Sequence, residues 1–85
     1  MSALASLGPT VVIRAARVSD GPALRRLAEL DSRELPAGDL LVAETDHEVV
    51  AALSLATGER VADPFRRTAD VVDLLAYRAR RLRSA

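Results

Sequence analysis

Hydrophobic positions change period along this chain, and the changes mark out its elements. Val11 to Ala16 is a short apolar run with β-branched residues, and it predicts a strand. Arg17 to Asp20 turns the chain. Leu24, Leu27, Ala28 and Leu30 then recur at helical spacing, which predicts a helix over about residues 19 to 31. Ser19 or Asp20 is placed to cap it, and Pro22 falls in the first turn, where a missing N–H costs nothing. Ser32 to Asp39, with Pro36 and Gly38, reads as a loop. Leu40 to Thr45 and Val49 to Ala56 predict two strands with only Asp46, His47 and Glu48 between them, a tight hairpin. After a turn at Thr57-Gly58, Arg60 to Asp63 supplies a short third hairpin partner. Thr68 then caps a last helix over residues 68 to 83, with Val71, Val72, Leu75, Ala79 and Leu82 as its apolar face. The order β-α-β-β-β-α gives an α+β fold: an antiparallel sheet of three or four strands with two helices.

Alternation predicts how that sheet is covered. Val49, Ala51, Leu53 and Leu55 fall on one face, Val50, Ala52 and Ala56 on the other, and Val11 and Ile13 oppose Val12. Neither face is polar, whereas a one-sided antiparallel sheet carries polar residues on its wet face. Both faces are therefore expected to be covered, by one helix each or by another chain. Phe65 is expected to plug the gap between the sheet and the last helix.

Composition narrows the chemistry. A chain of 85 residues makes one domain, residues 11 to 85, after a flexible segment over residues 1 to 10. A domain of this size buries only about 60 to 65% of its unfolded surface, so its core is marginal. With 49% hydrophobic and 28% charged residues it is too apolar to be disordered. No apolar run approaches the roughly 20 residues needed to span a bilayer. The start, MSALASLGPT, lacks a positive n-region, and a cytoplasmic protein is expected. There is no cysteine, hence no disulfide, thiolate metal site or cysteine nucleophile. All 12 basic residues are arginine, so there is neither a Schiff-base nor a P-loop lysine. Phe65 and Tyr77 are the only aromatics, too few for a single-strand stacking platform.

Three segments together resemble the N-terminal half of the GNAT acetyltransferase family. Ile13-Arg14 ends a strand, Asp20 follows in the turn, and Leu24 and Leu27 open the helix. Leu41-Val42-Ala43-Glu44 and Asp46-His47-Glu48-Val49-Val50-Ala51 match the family's hairpin, written lVAE-x-D-G-x-vvA. The resemblance covers about residues 11 to 75 and implies that the fourth strand leads into a helix that binds acetyl-CoA. In the family that strand ends in R/Q-x-x-G-x-G/A, whose backbone N–H groups hold the coenzyme pyrophosphate. Setting Arg66 on the leading position puts Arg67, Ala69 and Val71 where small residues are expected, and only Ala69 is small. Any Cβ there obstructs the phosphates. Arg66, Arg67 and Ala69 are thus weak cofactor candidates. The family's next strand and helix do not follow, so the chain is expected to be a truncated, degenerate GNAT-like domain.

The other chemical candidates each have a plainer role. Asp63 stands where some family members carry a general base, but Asp-Pro also ends strands and starts turns. His47, the single imidazole, sits at a hairpin tip, which excludes a histidine-rich metal site. Glu44 reads as exposed or salt-bridged, and Tyr77 as part of a packing surface. The run Arg78, Arg80, Arg81 and Arg83 is either a solvated helix end or a phosphate-contacting patch. Net charge is zero, but residues 1 to 59 carry nine acids against five Arg, and residues 60 to 85 carry seven Arg against three acids. The segments are complementary in sign. No catalytic or metal residue is assigned and no cofactor is expected. The leading expectation is a non-enzymatic module acting through a homodimer or a protein partner, with Tyr77, Arg78 and Arg81 at the interface. The contacting elements are expected to be residues 60 to 63 and the last helix. The rivals are an acyl-CoA-binding or acetyltransferase domain completed by a second chain, and a nucleic-acid-associated regulator.

Overall fold

The computed structural model describes residues 10–83 and has the element order that the periodicity predicts. Strand β1 (Val11–Ala15) leads through a 3-10 turn at Val18–Asp20 into helix α1 (Gly21–Leu30). Strands β2 (Leu40–Thr45), β3 (Glu48–Ser54) and β4 (Arg60–Ala62) follow, then helix α2 (Ala69–Arg83). The strands form one antiparallel sheet in the order β1-β2-β3-β4, and the fold is a small α+β domain. Apart from Thr10, the segment expected to be flexible lies outside the described residues. Among the described residues no helix is long and apolar enough to cross a membrane.

Each face of the sheet takes one helix of the same chain. Leu24 and Leu27 of α1 pack on Leu40, Val42, Ala52 and Val61. Val71, Leu75 and Ala79 of α2 pack on Leu41, Ala43, Val50, Ala51 and Leu53. Neighbours along β2 alternate between the two clusters, as pleating requires. The β2–β3 connection is tight because Asp46 (φ 52) and His47 (φ 67) both take left-handed backbone, the conformation of a type I′ hairpin turn. Helix α1 stops where Arg33 N–H bonds Ala28 C=O (3.0 Å) and Ser32 N–H bonds Glu29 C=O (3.2 Å). Ser32, at φ 54, occupies the left-handed position that glycine usually fills in this end motif. The following loop is pinned by the fully buried Ser54, whose hydroxyl donates to Ala37 C=O at 2.7 Å.

Several side chains fall elsewhere than their local pattern predicts. Ala43 pairs with Ala51 and Glu44 with Val49, leaving Val50 as the extra residue of a bulge. The bulge breaks the alternation expected for β3. Val50 joins Ala51 and Leu53 under α2, while Val49 packs on the α1 side. Phe65 is not a core plug. It is 81% exposed, because the turn after β4 carries it away from the gap beside Val71. Leu82 is half exposed, since the last turn of α2 runs past the cluster that holds Leu75 and Ala79. Val12 is also exposed on the α1 side, where α1 lies over β3 and β4 and leaves β1 uncovered.

Candidate functional site

The segment from Asp63 to Thr68 joins β4 to α2, and Asp63 engages two of its backbone donors. Asp63 is buried and its Oδ1 accepts Phe65 N–H at 2.9 Å, while Asp63 C=O accepts Arg66 N–H at 3.3 Å. Asp63 therefore acts as the turn residue, the plainer of its two roles. Thr68 stands just before α2 and its carbonyl accepts the first helical bond, from Val72 N–H at 2.8 Å.

A cleft of about 460 Å³ opens beside this turn, lined by Val11, Thr45, Val50, Arg66, Thr68 and Val71 among others. The guanidinium of Arg66 is held there by acids and a hydroxyl. Nη2 donates to Glu48, Nη1 lies 3.4 Å from Thr45 Oγ1, and Nε lies 3.8 Å from Asp63 Oδ2. Arg67 is exposed, as is Ala69, while Val71 is 7% exposed and belongs to the core. Of the three weak cofactor candidates, Arg66 and Arg67 lie in the turn and Ala69 opens α2, and only Arg66 is held by neighbouring side chains. Asp46 and Asp70 line the cleft, so four acids surround two arginines. Such a balance disfavours a pyrophosphate.

A second charged cluster lies on the α1 side of β1 and β2. Arg14 clamps Asp20 through both terminal nitrogens, at 2.8 and 2.9 Å, and Nη2 also bonds Glu44 Oε2 at 2.9 Å. Asp20 does not cap α1 with its side chain as expected. Its carboxylate turns back to Arg14 and to Arg17 N–H, at 2.6 Å. The Arg14 guanidinium holds the Asp20 carboxyl down at about 2, outweighing the burial that would raise it. The same carboxylates raise Arg14 further above its ordinary value. Both acids bond the same guanidinium, and the cluster ties β1 to β2 and the turn. Glu44 is salt-bridged, as one of its two readings has it. Arg14, Asp20 and Glu44 can each be picked out in the sequence, but nothing in their spacing says that they meet.

The remaining candidates are dispersed. His47 is exposed at its turn. Tyr77 is 51% exposed on α2, and Arg81 lies back along the helix over it, 5.9 Å from the ring centroid and donating to Tyr77 Oη at 3.3 Å. Arg78 is exposed one turn before Leu82, and Arg83 reaches Leu55 C=O at 3.4 Å. Among the described residues no group of three His, Cys, Asp or Glu could hold a metal ion.

The sheet has two edges of different character. On β4, Asp63 N–H bonds Val50 C=O, which turns the Ala62 N–H outward, and there Asp31 Oδ2 accepts it at 3.1 Å. A three-residue edge with one of its two outward donors taken is a poor template for another strand. On β1, the bond from Ala16 N–H to Leu40 C=O sets the phase, so the Val11, Ile13 and Ala15 N–H groups face outward. The residues 60 to 63 are thus a weaker contact element than the sequence suggests.

Compared with family models, curated proteins and solved structures, the chain shows no match in any of the three.

Proposed function

We propose that this domain is a non-catalytic GNAT-like module that acts by binding a second copy of itself. The observation that carries the reading is the outer side of α2. Leu74 and Tyr77 stand 47% and 51% exposed there, one turn apart on one helix, whereas Val18 and Phe65, more exposed still, lie on turns. Adjacent exposed apolar side chains mark interaction surfaces, and tyrosine and arginine are enriched in interface cores. A small domain also gains from an interface what its own core lacks. At roughly 50 µM protein, light scattering is expected to give twice the 9.1 kDa chain mass. A monomer mass under those conditions would remove the proposal.

The non-catalytic half of the reading rests on the turn before α2. Its Phe65 and Arg66 N–H groups are committed to Asp63, and Arg66 is committed to Glu48 and Asp63. A phosphate group at this turn would compete with these bonds inside an acidic surround. Calorimetric titration with acetyl-CoA is expected to yield no binding heat, and a Kd of roughly 10 µM or tighter would reinstate the coenzyme-binding alternative.

A further inference from the structure

We propose that α2 is the seam of a twofold dimer, its outward stripe packing antiparallel against the same stripe of a second copy. This inference rests on the self-association reading and adds its geometry. Asp70, Leu74, Tyr77 and Arg81 are all exposed, while Val71, Leu75 and Ala79 are buried. At 3.6 residues per turn the first four line one side of the helix, roughly opposite the core side. Leu74 and Arg81 are one heptad apart, as are Asp70 and Tyr77, so the four residues occupy the two seam positions of a helix pair.

The stripe is complementary to its own reversal. Leu74 and Tyr77 lie symmetrically about the Leu75–Ala76 bond, and so do Asp70 and Arg81. A twofold axis through that point sets Leu74 against Tyr77 of the partner subunit and Asp70 against Arg81 of the partner subunit. Both contacts then occur twice in a single register, as an isologous interface requires. Asp73 and Arg80 flank the stripe on one side and meet across the same axis. A parallel arrangement would instead set Asp70 on Asp70 and Arg81 on Arg81, juxtaposing like charges. The helix is thus acidic in its first turn and basic in its last, and only the antiparallel pairing uses that polarity. Arg81 already leans over the Tyr77 ring, toward the middle of the stripe where the axis passes.

Charge exchange tests the register. Sedimentation equilibrium is run on the full chain and on Asp70→Arg, Arg81→Asp and the double exchange, with circular dichroism melts confirming that each remains folded. Each single exchange sets like charges together twice and is expected to weaken the dimer roughly tenfold or more. The double exchange restores opposite charges and is expected to return the dimer to within about threefold of the original Kd. An equimolar mixture of the two single variants is expected to form a heterodimer. If the unaltered chain is a monomer, self-association and the seam both fall. If it is a dimer and the single exchanges leave it undiminished, the seam is wrong and self-association through another surface, such as the β1 edge, stands. Weakened singles with no recovery in the double exchange or the mixture overturn the register.

Discussion

Leu75→Ala is expected to cost about 2 to 5 kcal/mol of folding stability. Leu75 is 0% exposed and is the largest side chain that α2 inserts into the sheet. Its buried companions on the helix, Val71 and Ala79, are smaller, and Leu82 lies half outside. Truncation would leave a cavity between α2 and Leu41, Val50 and Leu53 that these companions cannot fill. Total stability for a domain is only about 5 to 15 kcal/mol, so the loss would consume a large part of it. Leu82→Ala, on the same helix, is expected to cost under about 1 kcal/mol because the side chain is already half in water. Urea unfolding followed by circular dichroism at one fixed protein concentration compares the two, since dimerisation would add a concentration-dependent term. Near-equal losses would mean that α2 docks differently from the packing described.

Arg14→Met is expected to cost about 2 to 4 kcal/mol at neutral pH, and to change the acid side of the stability profile. The Arg14 side chain is 17% exposed, and it pairs with both Asp20 and Glu44, which are 10% and 23% exposed. Methionine would keep much of the packing and leave two carboxylates crowded together without the guanidinium that bonds both, one of them nearly buried. Such a loss measures the stranded charges as well as the bonds removed. In the native protein the Asp20 carboxyl titrates at about 2, below its ordinary 3.8, chiefly because of Arg14. The folded state therefore binds this proton less readily than the unfolded chain. The resulting stabilisation, about 2 kcal/mol, is complete above about pH 4 and disappears as pH falls through 2. In Arg14→Met the burial of Asp20 acts without its counter-charge, so the carboxyl should titrate higher and the variant should lose less on acidification. Unfolding curves at pH 7 and pH 3 would test this. Parallel acid losses in both proteins would show that Asp20 does not depend on Arg14.

The plain character of the elements was legible in the order of residues, because helical and strand periods are local properties of the chain. Leu24, Leu27 and Ala28 are spaced for a one-sided helix, and the β-rich apolar run from Val49 to Leu55, bounded by turn residues, reads as a strand covered on both faces. The turn role of Asp63 was local too, since the Phe65 N–H it accepts is two residues away. Pairing between distant segments decided the rest. The extra residue of the bulge exists only relative to β2, so nothing within β3 could send Val50 rather than Val49 toward α2. Phe65 looked like a core residue by type, but the direction of its turn put it in water. Arg14, Asp20 and Glu44 became one cluster because β1 lies against β2, and Arg66 was neutralised because the β2–β3 hairpin brings Glu48 to the turn before α2. Side-chain type and spacing set which elements form; ion pairing and exposure follow from which elements then meet.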